Sequence, residues 1–433
     1  MHAPSPIAPE ARASLAADYG AVRAVSERLC APLAVEDHVI QSMPDVSPPK
    51  WHLAHATWFF ETFILARGNA AFPDGHRPLH PAYHYLWNSY YESEGDRWER
   101  PRRGLLSRPT VDEVRRYRRH VDEAVLAFLD RAPDDVLAAL APVLRLGLHH
   151  EQQHQELLVT DIKHILGTNP LRPPYREVAA GPAHAVPPLD FIHHQGGLVE
   201  IGTGDGLHGA GFAFDNESPR HRVFLAPFAI AARPVTNGEF IEFIEAGGYA
   251  KPEHWLSAGW DAVRENRWQA PLYWQRERDG WAHYTLAGMR PVDPGEPVCH
   301  VSHFEADAFA RWKGCRLPTE AEWEFSFPEL PATTGRFLDD EALHPGPTSR
   351  ARSYGDVWEW TGSAYLPYPG FRPLEGGLGE YNGKFMSGQM VLRGGSCATP
   401  RSHIRPTYRN FFHPDKRWQC TGFRLARSLH PGD

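Results

Sequence analysis

His150-Glu151-Gln152-Gln153-His154 is where residue type and spacing most directly suggest chemistry in this chain. Histidines at i and i+4 share one face of an α-helix, close enough for both imidazoles to bind one metal ion. His52 and His55 recur at helical spacing in KWHLAHATWFFETFILA (50–66) and form a second histidine cluster on another helix. Read literally, the pentapeptide is also HExxH, the zinc-peptidase pattern in which the glutamate acts as general base. The extended form of that pattern requires glycine and histidine where this chain has Leu157 and Thr160. A third ligand would then be Glu156, Asp161 or His164, or come from a distant part of the chain. Three neutral imidazoles with open coordination positions suit Fe(II), copper or zinc about equally, so spacing leaves the metal open.

The elements that must position these residues are helical. ASLAADYGAVRAVSERLCAPL (13–33) is amphipathic, and TVDEVRRYRRHVDEAVLAFLDRA (110–132) opens on Thr110 with Asp and Glu in its first turn, a favourable pairing with the helix dipole. DVLAALAPVLRLGLHHEQQHQELLVTDIKHILG (135–167) carries the pentapeptide; the pattern predicts a break at Pro142 and a stop at Gly167. With 50–66 these make a four-helix bundle over residues 1–168. Residues 169–190 are Pro-rich without periodicity and read as a linker. From 191 to 433 short apolar runs alternate with Gly, Pro and Asn turns, which predicts an α+β domain with irregular loops. One helix stands out there, SHFEADAFARWKG (302–314), with Ser302 as cap and Glu305 at the capping-box position.

Composition bounds the function. A chain of 433 residues holds two or three domains, and 45 basic against 53 acidic residues (net −8) argues against nucleic acid as a partner. No apolar stretch reaches the ~20 residues of a membrane helix, and no basic-plus-apolar leader is read, so a cytoplasmic protein is expected. Five scattered cysteines do not form a disulfide framework. Oligomeric state is not readable. The 25 histidines and 14 tryptophans are the unusual counts.

SPPKWHLAHATWFFETFIL (47–65) followed by HHEQQHQE (149–156) resembles the DinB-like N-terminal domain of the EgtB-type sulfoxide synthases of ergothioneine biosynthesis. The second half resembles the formylglycine-generating-enzyme (sulfatase-modifying-factor) fold. The blocks that carry this are GGLVEIGTG (196–204), ESPRHRVFLAPFAIAARPVTNGEFIEFIEAGGY (217–249), PVCHVSHFEADAFARWKGCRLPTEAEWEF (297–325), GDVWEW (355–360) and RGGS (393–396). The resemblance implies a C-type-lectin-like α+β domain packed on the bundle, with an iron site between them. It also implies a non-haem Fe(2+) enzyme that uses O2 to join a thiol to C2 of the imidazole of hercynine (N,N,N-trimethylhistidine), giving a sulfoxide. The ligands it implies are His55, His150 and His154, leaving three positions for thiolate, imidazole and O2. His52 is then a neighbour rather than a ligand, and Gln153 lies beside the bound imidazole.

The stretch 393–427 is where this second fold keeps its active-site residues. Formylglycine-generating enzymes bind copper there with two cysteines after RGGS; Thr399 and Ile404 stand at the corresponding positions, so that activity is not expected. Asn410 and Phe411 match the positions that hold the betaine end of hercynine, and an aromatic face suits a quaternary ammonium. Relatives that take γ-glutamylcysteine carry an acidic residue next; this chain has Phe412, and RNFF…RWQ…GFRLA resembles the branch that uses free cysteine. That branch places its tyrosines on the N-terminal domain, where WNSYYESEG (87–95) offers Tyr90 and Tyr91, Tyr90 being preferred as a proton donor to reduced oxygen. Arg103 is assigned to the cysteine carboxylate, which suits a bidentate guanidinium. A selenoneine- or ovothiol-type synthase, with another chalcogen donor or ring position, is the alternative.

Overall fold

The computed structural model describes residues 9–68, 75–177, 183–204, 206–208, 211–331, 334–348 and 353–429, so 178–182 of the Pro-rich stretch lie outside the described residues. The chain divides into two compact units. The first comprises Met1–Thr168 together with Leu207–Phe214 and Pro373–Tyr381; the second comprises Asn169–Gly206, Asp215–Arg372 and Asn382–Asp433.

The first unit is a helical bundle of α1 (Pro9–Cys30), α2 (Pro49–Phe60), a short α3 (Tyr83–Trp87), α4 (Val111–Arg131) and α5 (Asp134–Thr168). Every residue of α2 is buried, including Lys50, His52 and His55, so α2 is the central strut on which α4 and α5 pack. α4 begins as its sequence predicts: Thr110 Oγ1 accepts from Glu113 N, and the Glu113 carboxylate accepts from Thr110 N.

The expected break at Pro142 does not occur: α5 runs unbroken through it for 35 residues. An interior proline costs about 3 kcal/mol or more through its lost N–H and the clash with the carbonyl four residues back. Leu137, Leu144, Leu146 and Leu148, all buried on the same helix, outweigh it at roughly 1.5–3 kcal/mol each. Six residues short of His154's neighbour Gln153, Gly147 sets the approach of α5 to α2. A Cβ there would stand 2.6 Å from the Phe60 ring and 3.0 Å from that of Phe59, so any other residue would force the helices apart.

Among its described residues the second unit holds four small sheets. Its strands are β1 (Phe191–His194), β2 (Gly197–Ile201), β3 (His221–Leu225), β4 (Phe228–Ala231), β5 (Trp274–Glu277), β6 (Gly280–Thr285), β7 (Gly288–Pro291), β8 (Trp358–Ala364), β9 (Met390–Arg393), β10 (Asn410–Phe412), β11 (Thr421–Phe423) and β12 (Ala426–Ser428). They assemble as β1-β4-β12, β2-β3, β5-β6-β7 and β10-β9-β8-β11, antiparallel except for the parallel β8–β11 pair. Helices α6 (Asn237–Glu245), α7 (Ser257–Asn266), α8 (His303–Trp312) and α9 (Glu320–Ser326) complete the α+β domain. α8 starts at the Ser302–Glu305 capping box read from the sequence.

The tryptophans of AEWEF (321–325) and GDVWEW (355–360) are structural. Trp323 Nε1 donates to Glu359 Oε2 at 2.7 Å in the core, and the Arg424 guanidinium neutralises the same buried carboxylate. Arg393 and Arg409 converge likewise on Glu320. Among the described residues no disulfide forms, and no helix is long and apolar enough to cross a membrane.

Candidate metal centre

At 3.6 residues per turn α5 stacks His150 and His154 on one face, and α2 lays His55 against it. One donor atom from each of the three lies within 4.8 Å of the others, making a site that could hold a metal ion. The His55 ring is clamped between two indoles, stacked on Trp51 at 4.7 Å and on Trp58 at 5.6 Å. Burial disfavours the imidazolium. It brings His150 down to about 3, and burial followed by the neighbouring imidazoles holds His55 and His154 well below the usual histidine value. All three are therefore neutral imidazoles at physiological pH.

Hydrogen bonds fix two of the tautomers. His55 Nδ1 lies 2.6 Å from the Trp87 carbonyl, which can only accept, so Nδ1 carries the proton and Nε2 keeps its lone pair. His52 Nε2 lies 2.9 Å from Asp161 Oδ2 and must donate to that carboxylate. Burial keeps His52 neutral, so its Nδ1 is an acceptor, 2.9 Å from His154 Nδ1. His154 thus donates from Nδ1 and presents Nε2 as a ligand. The chain Asp161–His52–His154 orients the His154 ring in the way that outer carboxylates commonly orient a histidine able to bind metal. His55 Nε2 and both ring nitrogens of His150 are buried without a hydrogen-bond partner among the described residues. Buried polar atoms are rarely left so, and three neutral imidazoles around one point are a suitable donor set for a divalent transition metal.

The peptidase reading fails at Glu151. Its carboxylate is fully buried and accepts from Ser26 Oγ at 2.6 Å, Arg118 Nη2 at 2.5 Å and Arg23 Nη1 at 2.9 Å. Burial alone would raise its pKa, but Arg118 and Arg23 outweigh burial and bring it to about 2, so it is no general base. Of the alternative ligands in the helix, Asp161 is committed to His52 and His164 Nδ1 to Ser42 Oγ at 2.6 Å. Glu151→Gln removes the charge that two buried guanidiniums share. It is expected to destabilise the protein by about 3–5 kcal/mol, read as a lower denaturant midpoint at unchanged slope. A loss within ~0.5 kcal/mol, typical of a surface change, would contradict this.

Gln153 Oε1 accepts a hydrogen bond from the Tyr381 hydroxyl. The Tyr381 ring sits edge-on to His150 at 5.7 Å and stacks on Phe214 at 5.4 Å. The sequence reading does not single out Tyr381 or Phe214. Both lie on segments beyond residue 191 that belong to the helical unit, and the sequence hint is a glycine-rich run, GGLGEYNG (376–383), with a tyrosine within it outside the fold-defining blocks. Tyr90 and Tyr91 follow α3 with their rings stacked at 4.6 Å and their hydroxyls 3.5 Å apart. Tyr91 is wholly buried among Trp58, Phe59 and Phe63, and burial raises its pKa. Tyr90 is half-buried and meets Tyr381 edge-on at 6.4 Å.

Arg103 is buried with its guanidinium 3.2 Å from the centre of the Trp51 ring. Its nitrogens donate to Ser47 Oγ (2.9 Å) and Ser89 Oγ (3.0 Å), and no carboxylate among the described residues pairs with it. Asn410, Phe411 and Phe412 belong to the second unit, on β10. Phe411 stacks on Tyr365 at 4.0 Å, and Phe412 meets Trp418 edge-on. Thr399 there accepts from Ser396 N and Ile404 is buried, so neither position supplies a thiol.

The DinB superfamily model matches residues 19–158, and that of the sulfatase-modifying factor enzyme 1-like domain matches 179–354 and 351–429. The chain is 34% identical over 424 residues to the hercynine oxygenase of Mycolicibacterium thermoresistibile, covering 88% of each. It is 33% identical over 412 residues to the hercynine oxygenase of Mycobacterium tuberculosis, covering 88% of this chain and 91% of that one. Ergothioneine biosynthesis protein 1 of Schizosaccharomyces pombe is 29% identical over 232 residues, 50% of this chain and 28% of its own length.

Proposed function

The chain belongs to the hercynine oxygenase family, and on that premise we propose that it joins the sulfur of cysteine to C2 of the hercynine imidazole with iron(II) and O2, giving a sulfoxide in ergothioneine biosynthesis. The observation that carries this reading is the trio of neutral imidazoles His55, His150 and His154, in which His55 Nε2 and both His150 ring nitrogens are buried without a hydrogen-bond partner among the described residues. The reaction balances without a further reductant. The thiol S–H and imidazole C2–H bonds break, C–S and S=O bonds form, and O2 takes four electrons, one oxygen entering the sulfoxide and the other leaving as water. When bound at the triad, iron(II) supplies the template and the electron transfer to O2 that side chains lack.

The protein's own groups orient and protonate. Arg103, a buried guanidinium without a carboxylate partner among the described residues, takes the cysteine carboxylate. Gln153 faces the imidazole, held in position by the Tyr381 hydroxyl, and that phenol, backed by Tyr90, delivers a proton as oxygen is reduced. The family resemblance assigns the trimethylammonium to Asn410 and Phe411 of the second unit, where Phe411 offers an aromatic surface extended by Tyr365. Phe412 brings no charge to a γ-glutamyl group.

Competing cysteine against γ-glutamylcysteine, with hercynine and O2 in excess, tests the donor. Cysteine is expected to lead in kcat/KM by about 10–100-fold, the worth of one charge-assisted hydrogen bond that the dipeptide cannot make here. A preference for the dipeptide would sink this assignment.

A further inference from the structure

The second unit carries a cluster of soft donors that the reaction does not use. Cys299 and His300 lie between β7 and α8, and Cys420 immediately precedes β11. One donor atom from each lies within 4.8 Å of the others, and the three residues are 6%, 3% and 3% exposed. In extended chain, neighbouring side chains point to opposite sides, so Cys299 and His300 would diverge. His300 instead has φ +65°, a left-handed conformation that a non-glycine residue holds only where its surroundings enforce it, and this turn lets ring and preceding thiol converge. The backbone is clamped on both sides. Leu272 N donates to His300 O (3.1 Å), Val301 N to Thr421 O (3.3 Å) and Trp358 N to Cys420 O (2.9 Å).

We propose that Cys299, His300 and Cys420 form a second metal site, one that takes zinc. Two thiolates cancel the charge of Zn2+, so the complex can remain in a buried, low-dielectric position where a net charge could not. The imidazole completes a three-ligand set of the softness zinc prefers, leaving one tetrahedral position open. Binding breaks two S–H bonds and releases both protons to solvent, with no change of oxidation state. The neighbouring group His283, Glu296 and His344 is unlike it. There Arg290 Nη2 sits 2.6 Å from Glu296 Oε2, and the guanidinium stands where a cation would.

Cobalt(II) titrated anaerobically into the reduced full chain reports on this site directly, because only a thiolate-bound ion gives intense sulfur-to-metal charge-transfer absorption. The chain is expected to develop that absorption to an endpoint of about one equivalent, to release about two protons per ion bound there, and to lose the band when Zn2+ is added. His150→Ala should keep the band, which separates this site from the histidine triad; Cys299→Ser with Cys420→Ser should lose it while far-UV circular dichroism is retained. Absence of the charge-transfer band in the unmodified reduced chain overturns the proposal without recourse to any variant. So does a band that survives the double cysteine change.

Discussion

His150→Ala is expected to empty the histidine triad of metal and to lower sulfoxide formation by at least about 10³-fold. Its two ring nitrogens are buried without hydrogen-bond partners among the described residues, so the change removes no hydrogen bond of the ring to them. Its removal leaves His55 from α2 and His154 from α5, one imidazole per helix, in place of a three-point clamp. Losing several kcal/mol of metal-supplied stabilisation corresponds to that fall in rate. Iron per chain and product formed, measured on the same preparation, check it. An iron-replete, active alanine variant would remove the triad from the account.

Tyr381→Phe carries the second large effect. The phenol bonds Gln153, and its ring edge meets His150, so the hydroxyl is held beside the triad by contacts that phenylalanine only half preserves. A positioned general acid contributes about 10²–10⁴-fold. Sulfoxide turnover should fall by that amount with iron content unchanged, and part of the remaining flux should appear as oxidised cysteine (the sulfinate) rather than as the C–S product. Tyr90→Phe should shift the same product ratio less, since the Tyr90 ring lies against that of Tyr381. An unchanged rate and product ratio in Tyr381→Phe would clear that hydroxyl of any part in proton delivery.

How much of this was legible in the sequence depends on how local each signal is. His150 and His154 declare themselves because i and i+4 on a helix is a fixed geometry. His55 does not, since His52 lies one turn away on the same buried helix. Spacing cannot choose between them; the resemblance favours His55, and the bond from His52 to Asp161 gives His52 an orienting role instead. HExxH misleads for the same reason: the motif says nothing of Arg23 and Arg118, which reach Glu151 from α1 and α4 and take away its basicity. Pro142 reads as a break because propensity is local, whereas the leucines that hold α5 straight through it are buried by tertiary packing. Tyr381 was beyond reach. It lies more than two hundred residues from Gln153, in irregular chain whose membership of the helical unit no periodicity could signal.

The most direct test supplies the iron-loaded protein with hercynine, cysteine and ¹⁸O2 and identifies the product by mass spectrometry. A hercynine–cysteine adduct joined at C2 and carrying one ¹⁸O on sulfur, formed in step with hercynine consumption, is the predicted result. Cysteine oxidation with hercynine untouched, or an adduct at another ring carbon, would contradict it.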